Sequence, residues 1–223
     1  MPRMKLGVLI SGRGSNMQSI ANACADPDFP AEIALILSNR ADAAGLDFAA
    51  ERGIPTAVVD HKAFPDRDSF EAELTRTLEA AGVEFVCLAG FMRILNPGFV
   101  SAWHDRLINI HPSLLPAFKG LHTHERVLEA GARFTGCTVH FVRPEMDAGP
   151  IIIQAAVPVL GDDTPDTLSA RVLVQEHRIY PEAVRLVASG DAQVSGDVVV
   201  VKSSSGSAPG EERCLINPSL SEN

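Results

Sequence analysis

Over its first hundred residues the chain alternates short apolar runs with amphipathic stretches, and this alternation limits the fold more than any other feature. The runs Lys5 to Ile10, Ile33 to Ser38, Thr56 to Val59 and Phe85 to Ala89 read as strands. Between them, Asn16 to Cys24, Ala41 to Arg52 and Asp68 to Ala81 read as helices, the last carrying Phe70, Leu74 and Leu78 at helical spacing. Repeated β-α-β implies a parallel sheet with right-handed crossovers and helices on both faces. Leu107 to His111 reads as a fifth strand, and Cys137 to Val142 and Ile151 to Val159 as two more with antiparallel or mixed pairing. A long amphipathic helix from about Pro165 to Ala188 follows, and Pro181, which has no N–H for the helical ladder, is expected to kink or divide it. After one short strand at Val198 to Val201, the Ser-, Gly- and Pro-rich stretch from Ser203 to Asn223 reads as a flexible tail. The fold class is therefore α/β: an open, mainly parallel, twisted, Rossmann-like sheet with helices on both faces and mixed C-terminal strands.

Charge and apolar runs remove several functions. The formal net charge of -9, with no Lys/Arg cluster, argues against a nucleic-acid partner. The longest apolar runs fall far short of the ~20 residues of a membrane span, and the first residues lack a signal peptide's pattern, so the expected location is cytoplasmic. Cys24, Cys87, Cys137 and Cys214 form no CxxC pair and read as reduced, structural thiols.

In open α/β sheets the ligand sits beyond the carboxyl ends of the strands, so the segments after each strand hold the chemistry. The first is Ser11-Gly12-Arg13-Gly14-Ser15-Asn16, between a strand and a helix. Its glycines let a ligand approach the backbone, and the free amides of a helix start favour an anion such as phosphate. There is no Lys-Ser/Thr pair for a nucleoside triphosphate, and Met17 stands where a dinucleotide loop wants Gly. Arg40 leaves a nicotinamide dinucleotide as a minor alternative, and a plain tight turn as another.

Further along, in Asn109-Ile110-His111-Pro112-Ser113-Leu114-Leu115-Pro116, strand alternation puts Asn109 and His111 on one face, their Cα atoms ~6.6 Å apart. An amide donor beside an imidazole suits a tetrahedral oxyanion, and the imidazole can shuttle a proton near neutrality. A core pair that satisfies itself would use the same spacing. Asp147, in a late loop, could reach His111 and favour its charged form. Glu176 falls inside the apolar stripe of Leu168, Val172, Ile179, Ala183 and Leu186, where an unpaired carboxylate is costly. Either it pairs with a protein cation or receives a ligand ammonium, or it snorkels at the edge of the stripe. His122 and His124 have no companions at metal-site spacing, so no metal is expected.

Taken together, the Ser11 to Asn16 loop, the Asn-x-His-Pro-Ser-Leu-Leu-Pro run, Gly120-Leu121-His122-Thr123-His124 and the Asp147-x-Gly-Pro loop resemble the phosphoribosylglycinamide formyltransferases, within the folate-dependent formyltransferase family. The resemblance runs from about Lys5 to Ala188 and implies transfer of a formyl group from 10-formyltetrahydrofolate, as co-substrate, to the primary amine of glycinamide ribonucleotide in purine synthesis. It implies that Asn109 and His111 are catalytic with Asp147 acting on His111, and that Gly14, Ser15 and Asn16 hold the phosphate. It implies further that Leu173, Val174, Gln175 and Glu176 hold the amine end, while Met92, Arg93, Ile94, Leu95, Asn109 and Arg143, Pro144, Glu145, Met146 and Asp147 line the folate site. Arg67 corresponds to the contact with the folate tail, and a cis peptide is implied at Leu115-Pro116. One domain over residues 1–202 is expected, with a phosphate-binding half to about 104 and a folate and catalytic half from about 105. Its partners would be these two small molecules, with a homodimer compatible.

Overall fold

The computed structural model describes residues 2–202; the expected tail and Cys214 lie outside the described residues. Among the described residues, nine strands and six α-helices follow in the order β1 (Met4–Ile10), α1 (Ser15–Cys24), β2 (Ala31–Ser38), α2 (Gly45–Glu51), β3 (Thr56–Val58), α3 (Arg67–Ala80), β4 (Phe85–Leu88), α4 (Pro97–Ala102), β5 (Leu107–His111), α5 (Thr123–Glu129), β6 (Phe134–Phe141), β7 (Ile151–Pro158), α6 (Pro165–Ala188), β8 (Ala192–Ser195) and β9 (Val198–Val201). The short helices α4 and α5 and the strand β8 carry too little periodicity to be read from the sequence.

Seven strands form one sheet in the order β3-β2-β1-β4-β5-β6-β7, and β8-β9 form a separate hairpin. Strands β1 to β5 are parallel, whereas β6 and β7 are added antiparallel. The chain moves outward from β1 to β3 and then returns to β4 on the other side of β1, so the topological switch lies between β1 and β4. Strand alternation sends Leu6, Val8 and Ile10 into one core with α1 and α6, and Leu9 into a second core with Phe70, Leu74 and Leu78 of α3.

Helix α6 is the longest element, at 24 residues. Thr164 caps it in a capping box with Thr167, and Asp163 locks Arg171 through two contacts of 2.7 Å. Of the two effects expected of Pro181, division does not occur: the helix runs unbroken from Pro165 to Ala188. Leu168 and Val172 before the proline and Ala183 and Val184 after it are buried in the same core, and that burial outweighs one missing backbone hydrogen bond. Tyr180, fully buried on this helix, donates its hydroxyl to the Leu88 carbonyl at the end of β4, at 2.9 Å, and lies 3.4 Å from that of Ile108 within β5.

Candidate active site

The segment after β1 turns into α1 through Gly14, whose φ of 66° is the left-handed conformation that glycine adopts without strain. No side chain caps the start of α1, which leaves its first amides free to meet an anion. Ser11 pins this loop to the neighbouring one: its hydroxyl accepts from Met92 N at 2.8 Å and donates to Asn39 Oδ1 at 2.6 Å. A cavity of about 240 Å³ lies between them, lined by Ser11 to Asn16 with Ala89, Gly90 and Met92. A larger cleft of about 640 Å³ between α3 and α4 touches none of the catalytic candidates, so chemistry rather than size locates the site.

Residues Asn109 and His111 end β5, and β6 brings His140 opposite Asn109 and Thr138 opposite His111. Asp147, in the loop after β6, places Oδ2 3.4 Å from His111 Nδ1, with both side chains almost completely buried. The same Oδ2 accepts from Gly120 N at 2.8 Å, and His111 Nε2 meets the Phe118 carbonyl at 3.0 Å. Both nitrogens of His111 thus face oxygen acceptors. Engaging a substrate oxygen through Nε2 requires Phe118 to release it. The loop that carries Phe118 is held by Thr138, which donates to the Ser113 carbonyl at 2.7 Å and accepts from Leu115 N at 3.1 Å; the implied cis peptide at Leu115-Pro116 is present.

Sequence reading passed over His140. It is 2% exposed, and burial lowers its pKa, so it stays neutral. Its Nδ1 donates to the Phe141 carbonyl at 2.9 Å, which leaves Nε2 to accept from Asn109 Nδ2 at 3.4 Å. The 3.8 Å approach of Nε2 to Asp147 is therefore a contact with a neutral ring rather than an ion pair. His140 fixes which way the Asn109 amide points.

At the other end, Glu176 is buried in the apolar stripe of α6 as its spacing requires. Among the described residues the Asn16 amide is its hydrogen-bond partner, donating to Oε2 at 2.7 Å. Burial raises the Glu176 pKa, opposed by the Asn16 hydrogen bond and by His111. Of the other residues that the resemblance implies, Met92, Ile94, Met146 and Val174 expose apolar side chains. Leu95 packs against the second core, and Arg67 opens α3, with Arg67 and Arg93 both acting on the Glu71 carboxylate. Arg143 is held by Asp105 at 2.6 Å and Glu145 by Lys119 at 3.2 Å, so neither charge converges on His111.

A family model described as formyl transferase matches residues 4–184 of the chain. The chain belongs to that family. The phosphoribosylglycinamide formyltransferase of Escherichia coli (strain K12) is 47% identical over 187 residues, covering 84% of this chain and 88% of the relative. The trifunctional purine biosynthetic protein adenosine-3 of Gallus gallus is 54% identical over 192 residues, covering 86% of this chain. The chain spans only 19% of that relative's length. Among solved structures, glycinamide ribonucleotide transformylase 1 from Symbiobacterium toebii superposes with a TM-score of 0.87 at 48% identity, covering 89% of this chain and 94% of its own. The formyl transferase match takes in β1 through most of α6, and with them every residue of the two clusters above.

Proposed function

We propose that this formyl transferase moves the formyl group of 10-formyltetrahydrofolate to the primary amine of glycinamide ribonucleotide, giving formylglycinamide ribonucleotide and tetrahydrofolate. The convergence of Asn109, His111 and Asp147 at the carboxyl end of β5 carries the reading. The neutral amine attacks the formyl carbon, a C–N bond forms, and the carbonyl electrons move onto oxygen. Asn109 Nδ2 and the imidazolium of His111 donate to that oxyanion, in a buried site where such donors act strongly. Asp147 holds the imidazolium by charge. Collapse breaks the bond from carbon to the folate nitrogen, which takes up a proton as the attacking amine loses one. No metal takes part in this route.

In this reading the phosphate rests on the backbone of Gly14, Ser15 and Asn16, while Leu173 to Glu176 face the amine end. The pterin lies against Met92 to Leu95 and Arg143 to Asp147, and Arg67 meets the folate tail. The apolar exposure of Met92, Ile94 and Met146 supports the last assignment, since a flat ring would cover them. A direct assay with both substrates tests the reading: formylated amine is expected, whereas formate alone would make the chain a hydrolase. Asn109→Ala and His111→Ala are each expected to lower kcat by roughly 10²- to 10⁴-fold with little change in acceptor KM. Near-normal kcat in either variant would remove these residues from the chemistry.

A further inference from the structure

The side chain of Asn16 turns away from the phosphate loop that its backbone belongs to. Its Nδ2 donates to Glu176 Oε2 at 2.7 Å across 160 residues of sequence, and the two residues are 9% and 8% exposed. The other end of the same amide, Oδ1, is buried without a hydrogen-bond partner among the described residues. A buried polar atom left unpaired is destabilising, and a reversed amide would set two oxygens against each other. The orientation of Asn16 is thus dictated by the carboxylate. No lysine or arginine among the described residues acts on Glu176; the titratable groups facing it are His111 at the end of β5, Cys137 on β6 and Tyr180 on α6.

We propose that Asn16 is a positioning residue: it holds Glu176 as an oriented carboxylate for the acceptor amine, and so couples the phosphate end of the site to the amine end. Its backbone serves the phosphate and its side chain serves Glu176. This rests on the acceptor reading above. Hydrogen bonding to the charged form favours that form, so without Asn16 the burial of Glu176 acts unopposed except for His111.

The test combines Asn16→Ala, the near-isosteric Asn16→Asp and Glu176→Gln. Asn16→Ala is expected to raise acceptor KM by about tenfold or more and to move the acid limb of kcat/KM to higher pH. In the Glu176→Gln background the same substitution should add little, because the group through which it acts is gone. Inhibition by inorganic phosphate should stay near wild type. Additive effects, or lost phosphate inhibition with an unmoved acid limb, would show that the Asn16 side chain serves the phosphate and would overturn the proposal. Should Asn16→Ala fail to fold, Asn16→Asp removes the donated N–H at neutral pH with little change in volume. A readout without turnover separates this from the acceptor reading: NMR titration of the Glu176 carboxyl carbon in the free protein. Its midpoint should rise in Asn16→Ala even if no formylated amine is made by the wild type, and an unchanged midpoint would sink the positioning role alone.

Discussion

Burial and two hydrogen bonds leave the His140 imidazole in one neutral form, with Nδ1 as donor and Nε2 as acceptor. Its consequence falls on Asn109, whose amide would otherwise be free to rotate. His140→Leu is expected to lower kcat about tenfold by releasing that amide, and His140→Gln, which keeps an acceptor, to recover part of the loss; steady-state kinetics decide this. Legibility at this scale follows the distance over which each relation acts. Asn109 and His111 were readable because a strand's alternation is local, and Glu176 because a helical stripe is local. His140 was not, since only the β5–β6 register places it opposite Asn109. The Asn16 partner of Glu176 was hidden for the same reason. Asp147 became readable through family resemblance, as its loop has no periodicity of its own.

Among the elements, the parallel half of the sheet was the most legible, because each β-α-β unit repeats the same apolar pattern. The antiparallel half was read less fully, although it carries His140 and the Asp147 loop. Its close pairing depends on Gly149: a Cβ there would stand 1.7 Å from the Phe141 carbonyl oxygen. Gly149→Ala is expected to destabilise the fold by roughly 2–4 kcal/mol. Gly161→Ala, where an added Cβ meets no atom within 4 Å, should stay within about 0.5 kcal/mol of wild type. Urea denaturation of the two variants checks the contrast. Helix α6 runs on through Pro181, where burial on both sides keeps the helix from dividing.

For the whole molecule, the buried Glu176 carboxyl is a source of instability. Glu176 has a folded pKa raised by burial, so the native state holds its proton more tightly than the unfolded chain. Stability is lost as pH rises from the usual carboxylate range through the folded value. Glu176→Gln should therefore be more stable than wild type at pH 8, and that gain should shrink as pH falls toward the usual carboxylate range. Denaturation midpoints across pH would show it, and a gain independent of pH would contradict it. His124, His140 and His177, whose pKa values burial lowers, act with the other sign: their contribution is lost as pH falls below ~6.5. Comparing the two proteins at each pH isolates the carboxylate from the histidines. No described helix is long and apolar enough to cross a membrane.

Tyr180 stands one turn beyond Glu176 on α6, and its hydroxyl is fastened to the backbone at Leu88, where β4 ends, and near Ile108 of β5. Sliding the helix along the sheet would break that fastening in a place water does not reach. The height of Glu176 above the sheet is consequently set by that contact. Under the proposed function such a site is expected to work as a gauge: an acceptor with one methylene more between phosphate and amine would overshoot the formyl carbon, and one with a methylene less would fall short of it.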